Sequence, residues 1–292
     1  MSVNTNYFNS ISIPLKKTLE RGFEEDIGFG DITTGSVLHD HSVSGFIISK
    51  ADGVISGTES IPLGYRLLDE SASVKIFVRD GESVQPGVKI AKVEGPARSL
   101  LTGERVILNI LQHMSGISTA TAACVKALEG SNIRVCDTRK TLPGLRPLQK
   151  YAVRCGGGYN HRLRLDDGVM IKDNHIAAAG SITKAVQLAK DRNGLMVKIE
   201  VECETQEQVD EAVAAGADII MLDNQTPDSA REICKTIPDS VIVELSGGIT
   251  PETIGNFKDC GAHYISTGFV THSAAAFDIS FVLSGTIKNV NG

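Results

Sequence analysis

From about residue 195 the chain repeats a unit of just over twenty residues: a short β-rich run, a polar turn, then a helical pattern ending in Gly-Ala. The β-rich runs are 197–202, 218–222, 241–245 and 263–266. Between them, residues 205–217, 226–237 and 250–262 read as helices, two of them opened by Thr-Pro, a good cap followed by a good first-turn residue. Strand, helix and strand at this spacing require parallel strands joined by right-handed crossovers. Upstream, 133–136 and 169–171 read as two more strands, each running straight into polar residues. The expected fold is therefore α/β, with its second half built as an α/β barrel.

Barrels of this kind place their chemistry at the carboxyl ends of the strands, where the βα loops converge. The residues just past the strands are Asp137-Thr138-Arg139-Lys140, then Lys172-Asp173-Asn174-His175, Glu202, Asp223-Asn224, Ser246-Gly247-Gly248, and Thr267-Gly268. Taken alone, each is an ordinary loop residue. Six strand ends that present cations, carboxylates and glycines in one circle point instead to an anion site. Glycine turns let backbone N–H groups approach a phosphate, and Arg and Lys supply the matching charge.

Charge along the chain agrees. The net charge is −6, which argues against nucleic acid as the principal partner. Yet the window 139–175 holds eight cations, Arg139, Lys140, Arg146, Lys150, Arg154, Arg162, Arg164 and Lys172, against Asp166, Asp167 and Asp173, about +5 in an acidic protein. A solvated basic face is the bland alternative. The six cysteines form no C-x-x-C pair and His161 and His175 lack zinc-helix spacing, so reduced thiols and no structural metal are expected. No apolar stretch approaches the length of a membrane span and the first 30 residues lack a signal layout, so a cytoplasmic protein is expected.

The first hundred residues are turn-rich and β-rich, with Asp80-Gly81-Glu82-Ser83 and Gln85-Pro86-Gly87 leading to a second β run that ends at Gly95-Pro96. This resembles the hammerhead turns of biotinyl and lipoyl domains, but its tip has no lysine to modify. Residues 103–128 read as a helical link, and 274–283 as an apolar segment able to pack back on the first half.

The run Asp137-Thr138-Arg139-Lys140-Thr141-Leu142-Pro143-Gly144-Leu145-Arg146, with Lys150-Tyr151-Ala152-Val153, Gly156-Gly157-Gly158-Tyr159-Asn160-His161-Arg162 and Ile171-Lys172-Asp173-Asn174-His175, resembles the signature of the quinolinate phosphoribosyltransferases. So do Glu25-Asp26-Ile27-Gly28, Gly30-Asp31-Ile32-Thr33-Thr34, Glu104-Arg105, Leu108-Asn109, Ser115-Gly116-Ile117, Leu222-Asp223-Asn224 and Ser246-Gly247-Gly248. The resemblance runs from about residue 20 to 280. It implies an N-terminal α/β sandwich (1–116, completed by 277–292) and an incomplete barrel of fewer than eight strands (117–276). It further implies a homodimer or higher even oligomer, in which each site is closed by the partner's N-terminal domain.

By the same resemblance, Arg139, His161, Arg162 and Lys172 hold quinolinate, with Arg105 reaching across from the other subunit. Lys140 and His175 face phosphoribosyl pyrophosphate, Ser246, Gly247, Gly248, Thr267 and Gly268 receive its 5′-phosphate, and Glu202 and Asp223 bind the ribose hydroxyls directly or through Mg²⁺. Lys140, Lys172, Glu202 and Asp223 form the implied catalytic set. The family usually has glycine where this chain has Arg164. Pointing inward it would shrink the pocket and alter the substrate; pointing outward, the orientation expected here, it is only a surface charge. Thr267 and Phe269 also stand where smaller or aliphatic residues are more usual. Rival readings are a transferase for another heterocyclic carboxylate, a molybdenum-transport-associated relative, a Schiff-base aldolase using Lys172, and a non-catalytic sensor of phosphorylated ligands.

Overall fold

The computed structural model describes residues 11–38 and 41–284; residues 1–10 and 285–292, assigned above to the first domain, lie outside the described residues. In chain order the strands are β1 (Ser42–Ser49), β2 (Gly53–Val54), β3 (Ser73–Ile76), β4 (Ser83–Val84), β5 (Lys89–Pro96) and β6 (Arg134–Cys136). They continue as β7 (Val169–Ile171), β8 (Ile199–Cys203), β9 (Ile219–Asp223), β10 (Ile242–Ser246), β11 (Tyr264–Ser266) and β12 (Ile279–Leu283). The described residues form two compact units: those up to 122, 142–157 and those from 274 onward make one, residues 123–141 and 158–273 the other.

The first unit carries an antiparallel sheet in the order β12-β1-β5-β3 and a small β2-β4 pair. The helix Ser12–Ile27 repeats an apolar residue every fourth position, and that stripe, Leu15, Leu19 and Phe23, is what it buries. The helix Ala97–Ala127 extends the expected link by six residues at its start and buries Leu100, Ile107, Leu111 and Met114. Each such side chain contributes roughly 1.5–3 kcal/mol by leaving water. Gly116 lets this helix lie against the returning chain: a Cβ there would stand 2.0 Å from the Ala275 carbonyl oxygen. The apolar segment 274–283 supplies β12, paired antiparallel with β1. The helix Arg146–Cys155, although it lies between β6 and β7 in sequence, belongs to this unit, where Tyr151 donates to Asp80 at 2.8 Å and Ser118 to the Ala152 carbonyl at 2.8 Å.

The second unit is a six-stranded parallel sheet in the order β6-β11-β10-β9-β8-β7. All six strands predicted from the repeat and its upstream runs are present. Among the described residues no ladder joins β6 to β7, so the barrel is incomplete. A segment beside β6 occupies that side: the Tyr159 N–H donates to the Val135 carbonyl at 2.7 Å and accepts, through its own carbonyl, the Asp137 N–H at 3.1 Å. The first two predicted helices form as Gln206–Ala215 and Pro227–Cys234, capped by Thr205 and Thr226, each cap contributing about 1 kcal/mol. The third does not. Residues 250–262 give only a 3₁₀ turn, Ile254–Phe257, because Gly255, Asn256, Asp259 and Gly261 are poor helix formers and the Thr-Pro opening cannot by itself propagate a helix.

Candidate active site

Successive side chains on a strand point to opposite faces, so alternate residues of β8 to β11 line the barrel interior. In ascending order along the strands these are Glu200 and Glu202, Met221 and Asp223, Glu244 and Ser246, and Ser266. They and the following turns enclose two cavities. One, of about 430 Å³ at the carboxyl ends, is lined by Thr138, Arg139, Lys140, His161, Arg162, Met170, Lys172, Glu202, Met221, Asp223, Asn224, Ser246, Gly247, Gly248 and Ser266. The other, of about 500 Å³ towards the amino ends, shares His161 and Arg162 with the first and is bounded by Glu200 and Glu244.

The upper cavity gathers four cationic side chains and two carboxylates. Lys172, immediately after β7, is ion-paired with Glu202 on β8. Asp223, at the end of β9, accepts from the Asn224 side chain at 2.6 Å. Asn224 has a positive φ of 55° and donates its N–H to the Ser246 carbonyl at 3.0 Å. Gly247 packs on that turn with φ 99°, and a Cβ there would come within 2.4 Å of Asn224 Oδ1 and 2.5 Å of its backbone nitrogen, so only glycine fits. Gly248, at φ 61°, continues the turn.

Asp137, fully buried at the end of β6, fixes the opposite wall: Oδ1 accepts the His161 N–H at 2.9 Å and Oδ2 accepts from the Asn160 amide at 2.6 Å. Arg162 anchors Nη1 on the Gly168 carbonyl at 2.9 Å. Partial burial lowers the pKa of its guanidinium, and the neighbouring Arg139 charge adds to the effect, as in a pocket built to receive an anion. The His161 ring points away from the solvent: Nε2 lies 3.1 Å from Glu200 Oε2 and 3.5 Å from Glu244 Oε2, while Nδ1 accepts the Arg162 N–H at 2.7 Å. Burial and the Glu200 charge push the Glu244 carboxyl up to about 7.

Of the residues singled out from sequence, Arg139, Lys140, His161, Arg162, Lys172, Glu202, Asp223, Ser246, Gly247 and Gly248 are brought together. His175 is not among the lining residues; its Nδ1 accepts the Lys172 N–H at 3.0 Å and caps the helix Asp173–Ala179. Thr267 is buried, donating to the Ile249 carbonyl at 2.6 Å. Gly268 lies behind Lys140, whose Cδ would be 2.8 Å from a Cβ there. Arg105 sits in the first unit, exposed, 4.0 Å from Glu104. Arg164 points outward, 70% exposed, with Nε 3.3 Å from Asp166. The basic window divides too: Arg146, Lys150 and Arg154 belong to the first unit's helix. Glu200 and Glu244 escaped the sequence reading, which took only strand ends. Their signal was an acidic residue inside an apolar strand, in Ile199-Glu200-Val201 and Val243-Glu244-Leu245.

Two family models match, quinolinate phosphoribosyl transferase N-terminal domain over residues 31–115 and C-terminal domain over residues 117–282. The chain is 51% identical over 268 residues to a probable nicotinate-nucleotide pyrophosphorylase (carboxylating) of Bacillus subtilis, covering 92% of this chain and 93% of that protein. It is 37% identical over 286 residues to a mitochondrial quinolinate phosphoribosyltransferase (decarboxylating) of Nicotiana glauca, covering 91% and 81%. A crystal structure of NadC from Streptococcus pyogenes superposes with a TM-score of 0.90 at 40% identity, covering 93% of this chain and 97% of that one. The chain belongs to the quinolinate phosphoribosyltransferase family.

Proposed function

We infer that the chain transfers the phosphoribosyl group of phosphoribosyl pyrophosphate to quinolinate, releasing pyrophosphate and CO₂ and forming nicotinate mononucleotide for NAD biosynthesis. The observation that carries this reading is the convergence of Arg139, Lys140, Arg162 and Lys172 with Glu202, Asp223 and the Ser246-Gly247-Gly248 turn around one cavity. The two adjacent carboxylates of quinolinate call for the Arg139, Arg162 and Lys172 side. Guanidinium groups grip carboxylates through paired N–H donors. The glycine turn offers backbone N–H groups to the 5′-phosphate, with Lys140 as a neighbouring point charge. Of His175 only Nε2 remains for the donor, since Nδ1 caps its own helix.

The pyridine nitrogen attacks the anomeric carbon with a neutral lone pair as the carbon–oxygen bond to pyrophosphate breaks, so the transfer needs no general base. The positive charge this creates on the ring then stabilises the electron pair left on the ring carbon when the adjacent carboxylate departs as CO₂, and a proton from solvent takes up that pair to form the C–H bond of nicotinate mononucleotide. The protein's part is charge fixed in advance where charge develops. Glu202 and Asp223 offer hard oxygen donors at adjacent strand ends, a set that fits Mg²⁺ brought in on substrate phosphates better than a protein-only cage. Bound there, Mg²⁺ would neutralise pyrophosphate charge while both carboxylates orient the ribose hydroxyls.

Arg105 completes the acid site from a second subunit in this reading, and the enzyme is a cytoplasmic homodimer. Among the described residues no helix is long and apolar enough to cross a membrane. A Schiff-base role for Lys172 would require giving up its ion pair with Glu202. A different heterocyclic acid is disfavoured because Arg164 leaves the pocket unaltered. The test is to incubate the protein with phosphoribosyl pyrophosphate, Mg²⁺ and either quinolinate or nicotinate. Nicotinate mononucleotide from quinolinate alone is expected; product from neither acid would overturn the reading.

A further inference from the structure

We propose that Glu200 and Glu244 are positioning residues for the acid-binding side of the site, sharing the Nε2–H of His161 and thereby fixing Arg162. Glu200 on β8 and Glu244 on β10 point inward from strands separated by β9, and their carboxylates converge on one imidazole nitrogen at 3.1 and 3.5 Å. Both are almost fully buried, and Oε1 of each meets no protein donor. Burying two carboxylates side by side is unfavourable, and aliphatic residues would fill the same space at less cost. Packing therefore does not account for them.

The ring's other nitrogen decides what the pair does. Nδ1 accepts the Arg162 N–H at 2.7 Å, so it carries no proton, and in the neutral ring the proton is on Nε2, facing the two acceptors. A metal ion at this cluster of His161, Glu200 and Glu244 would need the Nε2 lone pair, moving the proton to Nδ1 and breaking the Arg162 contact. The geometry selects a shared proton over a bound cation.

Through that proton the glutamates act on Arg162. The His161 backbone is held by Asp137 and the far end of Arg162 by the Gly168 carbonyl. The imidazole orientation sets the point between those anchors where the Arg162 backbone is held. His161 and Arg162 line both cavities, whereas the glutamates line only the lower one. They form the support beneath the pocket and do not touch the acid.

The inference rests on the quinolinate reading, so the wild-type enzyme is assayed alongside every variant. Glu200→Leu removes the nearer acceptor and is expected to raise KM for quinolinate about tenfold or more, with KM for phosphoribosyl pyrophosphate nearly unchanged. Glu200→Gln, which keeps an acceptor oxygen, is expected to restore most of the loss. In a His161→Leu background Glu200→Leu should add little. Nitrogen NMR of the His161 ring, assigned by its loss in a His161 variant, should show Nε2 protonated and Nδ1 bare in the wild type. An inactive wild type would sink the quinolinate reading. An active wild type with an unchanged quinolinate KM in Glu200→Leu, no rescue by glutamine, losses that add to those of His161→Leu, or a protonated Nδ1 would overturn the positioning role. So would stoichiometric Zn²⁺ or Mg²⁺ binding abolished by Glu244→Gln.

Discussion

Arg139 and Arg164 belong to one basic stretch, yet only Arg139 lines the pocket while Arg164 pairs with Asp166 in solvent. Exposed pairs contribute about 0–1 kcal/mol, whereas removing one partner of a desolvated charge pair costs about 3 kcal/mol or more. Arg139→Ala should therefore lower kcat/KM for quinolinate by about a hundredfold or more, while Arg164→Gly leaves it close to wild type. Steady-state kinetics of both variants check this, and equal losses would contradict it. Glu244 gives a prediction of another kind. Its carboxyl is raised from 4.5 to about 7, so between those values the unfolded chain has lost a proton that the native chain keeps, and stability falls as pH rises through that window. Glu244→Gln cannot titrate. Its stability relative to wild type should improve from mildly acidic to mildly alkaline pH, read by denaturant unfolding at both; a constant difference would refute the assignment.

At the scale of elements, strands and turns determine where these side chains stand. The turn after β10 exists because Gly247 and Asn224 both adopt positive φ and lie in contact. Gly247→Ala should force that contact apart and raise KM for phosphoribosyl pyrophosphate by about tenfold, with quinolinate affinity little changed; the reverse pattern would place the phosphate elsewhere. The same strands show how far the chain could be read in advance. β6 to β11 were legible because short apolar runs ended in polar residues at a regular spacing, and the ends of those runs delivered most of the cavity lining. Residues 250–262 misled, since a Thr-Pro opening signals where a helix starts but not whether the residues after it, here Gly255, Asn256, Asp259 and Gly261, can continue one. Glu200 and Glu244 were missed because a carboxylate in mid-strand reads as the polar face of an exposed strand until the sheet is known to curve around it. The helix Arg146–Cys155 carries signature residues, but Tyr151 meets Asp80 through folding between segments far apart in sequence.

For the whole molecule, the proposed function places Arg105 of each subunit in the neighbouring site of a dimer. Arg105→Ala and Arg139→Ala subunits, each strongly impaired alone, should regain up to about a quarter of wild-type activity when dissociated and mixed, because each mixed dimer holds one intact site. No regain despite proven mixing would place Arg105 in its own subunit's site or in none. In the proposed reaction one cationic barrel mouth receives both the dicarboxylate and the phosphoribosyl donor and couples transfer to decarboxylation. The most direct measurement is the ratio of CO₂ to pyrophosphate released when the wild-type protein turns over quinolinate and phosphoribosyl pyrophosphate. Equal amounts are expected, neither appearing when either substrate is omitted; pyrophosphate without CO₂, or CO₂ without the donor, would contradict that coupling.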